Sequence, residues 1–118
     1  MKTVNEMVQE AEVPALMVNR EGLISVVNKH FEKVFGWSSQ EIVGRPLTTI
    51  IPKDLRDAHQ LGFSRFLRTE KPTLLNQPLK LKAVTKEGRQ FEAEHFITAE
   101  QLEDGWVFGA TIRPLGGP

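Results

Sequence analysis

Toward its C-terminal end the chain switches to a two-residue period. In "NQPLKLKA" the apolar residues Leu79, Leu81 and Ala83 alternate with Lys80 and Lys82. In "FEAEHFIT" Phe91, Ala93, His95 and Ile97 alternate with Glu92, Glu94, Phe96 and Thr98. Successive side chains of a strand point to opposite faces, so each segment predicts a half-buried β-strand. "TKEGR" and "EDG" supply turns, and "WVFGATIR" gives a third strand. Strands joined by such short turns run antiparallel, and the sheet they form must have its apolar face covered by the rest of the chain.

The N-terminal half offers the cover. "TVNEMVQEA" opens with a capping box, Thr3 with Glu6, and sets Val4, Met7, Val8 and Ala11 on one stripe of a short amphipathic helix that Pro14 ends. "ALMVN" and "LISVVN" flank the turn "REG" and read as a hairpin. Asn28 is placed to N-cap "KHFEKVF", whose Phe31, Val34 and Phe35 share a side before Gly36 stops it. Ser38 and Glu41 form a second capping box for "SQEIV", and Pro52 introduces a long helix over 53–69. The predicted fold is α+β, a five-stranded antiparallel sheet with short helices and one long helix covering one face.

Composition narrows the function classes. A length of 118 residues suits a single core. Fifteen basic residues balance fifteen acidic ones, so no large field draws the molecule to nucleic acid or an anionic membrane. The local basic group of Arg56, Arg65, Arg68 and Lys71 reads as a solvated helix face. The absence of cysteine removes disulfides, thiolate metal sites and cysteine nucleophiles, and agrees with a reducing compartment. With no apolar run near the roughly 20 residues of a span and no secretory h-region, the expected location is cytoplasmic, without membrane contact by this segment. No P-loop, serine–histidine–acid set or metal-ligand spacing is present, so the chain is not expected to be an enzyme. Glu92 and Glu94 share a strand face without a facing acid–base partner, and His30 lies on a polar helix face; both read as surface.

Taken in order, "NREGLISVVNKHFEKVFGWSSQEIVGRPLTTIIP" resembles the first half of a PAS domain: a hairpin with a glycine turn, an asparagine entering a helix, an aromatic after glycine, then a glutamate, a glycine and a proline before a long helix. "TKEGRQFEAE" is similar to the family's second hairpin, with Glu87 where aspartate is usual. The resemblance covers residues 12–113. It implies a sensory and dimerisation module, a homodimer, and an effector such as a histidine kinase, a cyclic-dinucleotide enzyme or a chemoreceptor elsewhere in the full-length protein. On this division residues 1–13 form an N-terminal cap helix, 14–113 the PAS domain, and 114–118 the start of a linker.

The long predicted helix, "IPKDLRDAHQLGFSRFL", raises the question of a ligand. At about 100° per residue, Leu55, Gly62, Phe63 and Phe66 fall within about 60° of His59, so His59 faces inward with them. A mid-helix glycine costs about 1 kcal/mol relative to alanine, and Gly62 one turn from His59 suggests close approach there. The stretch also looks like the helix of oxygen-sensing heme PAS proteins. On that resemblance His59 corresponds to the iron ligand, and Arg56 to the arginine three residues before it. The plain alternative is a hydrogen-bonded core histidine. Two positions depart from the heme pattern: Leu79 stands where an oxygen-binding arginine would be, and Gln77 where an axial methionine would be. Strand alternation turns His95 inward, where it is either a distal donor or second ligand, or a pocket histidine paired with Gln77.

The flavin photochemistry of the family needs a cysteine that this chain lacks. Noncovalent flavin stays open, with Trp106 near an apolar pocket, although plain core is the simpler reading of that residue. The expected small-molecule pocket lies between the sheet's inner face and the long helix, lined by His59, Phe63, Gln77, Leu79, Leu81, His95, Ile97, Phe108 and Ala110. Three readings follow: a small-ligand sensor of unknown cofactor, a heme sensor using His59, and a ligand-free scaffold for protein contact.

Overall fold

Backbone geometry at two caps explains how the N-terminal half is laid down. In the computed structural model, which describes residues 3–57 and 78–115, the first helix α1 (Val4–Glu10) starts from a complete capping box. There Thr3 Oγ1 accepts from Glu6 N and Glu6 Oε1 accepts from Thr3 N, both at 3.0 Å. After α1 come strands β1 (Ala15–Val18) and β2 (Ile24–Val27), then helices α2 (Lys29–Phe35) and α3 (Ser39–Ile42). The second capping box, Ser38 with Glu41, begins α3. Asn28 does more than cap α2. Its Oδ1 accepts from Phe31 N at 2.9 Å and from Ala15 N at 3.1 Å, while Nδ2 donates to Val13 O at 2.9 Å and Val8 O at 3.3 Å. One buried amide thus ties together the end of α1, the start of β1 and the start of α2.

Two short 3-10 turns follow, Leu47–Ile50 and Lys53–Leu55. The first was not legible in the sequence, and the second shows that the backbone after Pro52 enters as a tight turn. The remainder of the predicted long helix, with His59, Gly62, Phe63 and Phe66, lies outside the described residues, as does Gln77. The C-terminal strands are β3 (Pro78–Val84), β4 (Gln90–Leu102) and β5 (Gly105–Pro114). Beyond β5, Leu115 N donates to Glu92 O at 2.9 Å.

All five strands join one antiparallel sheet in the order β2-β1-β5-β4-β3. Directly paired residues share a face. On the inner face Leu16, Val18, Ile24, Phe108 and Ile112 meet Phe31, Phe35, Ile42 and Ile50 in one buried cluster. Phe31 and Phe35 stack at 4.4 Å between ring centroids, and Phe35 reaches Phe91 of β4 at 5.4 Å.

The outer face is built differently. At the β3–β4 side it is charged: Lys80 meets Glu92 at 3.6 Å and Glu94 meets Arg113 at 3.2 Å. At the β1–β5 side α1 lies on it. A Cβ placed on Gly109 would sit 2.5 Å from Val4 Cγ1 and 3.0 Å from Met7 Cε, so only a glycine lets the helix come this close. Thr98 Oγ1 donates to Met7 Sδ at 3.7 Å, and Glu100 Oε1 accepts from Val4 N at 2.9 Å.

Candidate functional site

Strand register decides which predicted pocket residues can meet. Leu79 of β3 pairs with His95 of β4, and His95 pairs on its other side with Ile112 of β5. Leu81 pairs with Ala93, and Ile97 with Ala110, which in turn pairs with Leu16. Leu79, Leu81, His95, Ile97, Phe108 and Ala110 therefore project from the same face, the one that carries the buried cluster. They divide by burial. Phe108 belongs to the buried cluster and Ala110 packs against it. Leu79, Leu81, His95 and Ile97 stand outside it, and Leu81 is 43% exposed. His59, Phe63 and Gln77 lie outside the described residues.

His95 is the one ionisable side chain among the described members of this set. Burial of its ring pushes the pKa below the ordinary 6.5, and the nearby Ala93 carbonyl opposes this only in part. The ring is therefore neutral at pH 7. Its Nδ1 stands 3.3 Å from Ala93 O, an atom that can only accept, so a hydrogen bond there places the proton on Nδ1. Nε2 is then left with its lone pair, and no described residue engages it. A neutral imidazole with an open nitrogen on an apolar surface can accept a hydrogen bond from a ligand or coordinate a metal. Among the described residues there is no cluster of three or more histidine, cysteine, aspartate or glutamate side chains suited to a metal ion. Nor is any described helix long and apolar enough to cross a membrane.

His30 is exposed, as its polar surroundings predict, and Trp106 packs half-buried against the core cluster. A second grouping escaped the sequence reading. Around Trp37, just after α2, four loops converge to form a hollow of about 390 Å³. The Arg45 guanidinium lies 4.7 Å and the Lys86 ammonium 5.3 Å from the Trp37 ring centroid. Trp37 Nε1 is buried and has no hydrogen-bond partner among the described residues. The only sequence signal was "FGW", a local motif that carries no information on which loops it meets.

Comparison with known proteins fits this architecture. A family model described as PAS fold matches residues 2–113. An uncharacterized protein of Azorhizobium caulinodans is 30% identical over 108 residues, 90% of this chain and 15% of that protein. The sensor protein FixL of Bradyrhizobium diazoefficiens is 24% identical over 100 residues, 85% of this chain and 20% of FixL. The chain thus spans a fifth or less of the length of these relatives. Among solved structures, the PAS domain of a Colwellia psychrerythraea protein superposes with a TM-score of 0.74 at 13% identity, covering 94% of this chain and 92% of that one. A domain of a sensory box sensor histidine kinase/response regulator from Geobacter sulfurreducens superposes with a TM-score of 0.63 at 18% identity, covering 92% and 89%.

Proposed function

The chain belongs to the PAS family, and from that premise we propose that it is the sensory input and dimerisation module of a bacterial-type signal-transduction protein. In this reading a small ligand binds between the sheet's inner face and the long helix predicted over 53–69. The observation that carries it is His95, a neutral ring whose Nε2 is engaged by no described residue, beside Leu79 and Ile97 and outside the core cluster. A ligand there changes how β3 and β4 meet the elements that cover them. The change passes through the sheet to β5 and α1, and so to flanking segments. The effector is a histidine kinase, a cyclic-dinucleotide enzyme or a chemoreceptor. The likeness to FixL and to the Geobacter protein, each a sensor, supports this assignment. The module works in the cytoplasm as a homodimer, with α1 and the outer face beside exposed Phe96 as the contact surface.

A second reading is a heme-based gas or redox sensor with His59 as the iron ligand. It rests on the Arg56–His59 spacing, and the apolar side chains of Leu79 and Ile97 beside neutral His95 suit contact with an apolar ring system. Heme, when bound, would supply an iron centre able to take a gas or change oxidation state. One absorption spectrum tests both readings, taken on protein expressed with a heme precursor and riboflavin. A Soret band that changes its axial-ligand signature in His59→Ala supports the heme reading, and an unchanged band in that variant removes His59 from it. Flavin bands select noncovalent flavin. A spectrum free of both, together with no small molecule released on denaturation, favours a ligand-free scaffold.

A further inference from the structure

The hollow around Trp37 lies apart from the inner-face site and is lined almost entirely by donors. Trp37 follows Gly36 at the end of α2, Arg45 follows α3, and Thr48 and Thr49 sit in the Leu47–Ile50 turn. Arg56 follows the second 3-10 turn, and Lys86 belongs to the β3–β4 turn, which Lys86 N fastens to Phe35 O at 2.9 Å. Among the described residues each guanidinium donates its hydrogen bond through Nε: Arg45 Nε to Glu41 O at 3.0 Å and Arg56 Nε to Ile51 O at 2.9 Å. Their terminal Nη groups are engaged by no described residue. The nearby acid, Glu41, is already committed, since its carboxylate accepts from Ser38 N and from Lys86 Nζ. Arg45, Arg56 and Lys86 thus line one hollow whose described lining includes no carboxylate, and cations so placed attract an anion.

The Trp37 ring gives the cations their place, with the Arg45 guanidinium 4.7 Å and the Lys86 ammonium 5.3 Å from its centroid, so its indole N–H reports on what they bind. The geometry points to a binding site for the oxyanion group of a small metabolite, phosphate or carboxylate, held by Arg45 and Arg56 with Lys86 and Thr48 around it. Planar guanidinium groups suit either oxyanion by paired N–H donors. A volume of about 390 Å³ exceeds that of a bare ion and leaves room for the rest of a small molecule. The site stands whether or not the inner face binds a ligand.

The test is a nitrogen-15 NMR titration of the 118-residue protein with inorganic pyrophosphate and, separately, citrate, each against sodium chloride at matched ionic strength. There are two tryptophans, so the Trp37 indole resonance is assigned against Trp106→Phe. A saturable shift of the Trp37 indole N–H is expected, with affinity at least tenfold weaker in Arg45→Gln and in Arg56→Gln. Saturation by pyrophosphate alone identifies a phosphoryl ligand, and saturation by citrate alone a carboxylate. If Arg56→Gln fails to fold, the exposed Arg45→Gln decides by itself. A shift that only tracks ionic strength, or an affinity unchanged by Arg45→Gln, overturns the proposal.

Discussion

The inner face of the sheet has two ends that differ in how they are filled. At the β1–β2–β5 end, Leu16, Val18, Ile24 and Ile112 meet the stacked Phe31 and Phe35, and every one of these is 2% exposed or less. At the β3–β4 end, the same face presents Leu79, Leu81, His95 and Ile97, none of them in the buried cluster, with a titratable ring in their midst. Both ends come from strands with the same alternation. Among the described residues the difference lies in what the helices bring: α2 and α3 bury Phe31, Phe35 and Ile42 in the cluster and reach β4 at Phe91, while Leu79, Leu81, His95 and Ile97 stay outside it. One end packs the core, and the other is where the proposed ligand would act.

Substitution should expose this contrast most strongly at the well-filled end. Phe35→Ala removes a fully buried ring that contacts both Phe31 and Phe91, and should cost about 3–5 kcal/mol of unfolding free energy, read by chemical denaturation. A loss under about 1 kcal/mol would mean that the two ends do not differ. The outer face gives an intermediate effect. Gly109→Ala forces a Cβ against Val4 Cγ1, so it should cost about 1–3 kcal/mol and speed hydrogen exchange in α1. Because α1 belongs to the proposed contact surface, sedimentation should also show weaker self-association in this variant. Stability and association equal to wild type would break the outer-face account. At the sparse end, Leu81→Ala removes a side chain already 43% exposed, and its cost should stay below about 1 kcal/mol.

How much of this was legible in the sequence follows from which interactions are local. Both capping boxes, Asn28 as the cap of α2 and Gly36 as its left-handed stop at φ 79° involve groups within four residues, and all were readable. Alternation fixed the faces of β3 and β4, hence the inward direction of His95. It understated β4, which runs on through Leu102, because "AEQL" loses the strict pattern while its backbone still pairs with β5. Long-range partners were out of reach. Asn28 reads as a cap, but nothing in its neighbourhood announces bonds to Val8, Val13 and Ala15. Gly109 sits unremarked within "WVFGATIR", and only the fold shows that α1 approaches it. The Trp37 hollow needed four loops brought together, and loops carry no periodicity to align them.

The central claim is that His95 is kept for a ligand rather than for the fold, and its own titration provides the most direct measurement. Burial lowers its folded pKa, so between that value and the unfolded 6.5 the unfolded chain binds more protons than the native one. The stability linked to His95 is then fully present above about pH 6.5 and is lost as pH falls through the folded pKa. Unfolding free energy should be measured for wild type and His95→Leu from about pH 5 to pH 8. The account predicts a variant equal to or more stable than wild type at neutral pH, with a shallower decline on the acid side. A His95→Leu variant less stable by about 1 kcal/mol or more at neutral pH would mark His95 as an internal structural hydrogen-bonder and contradict the claim.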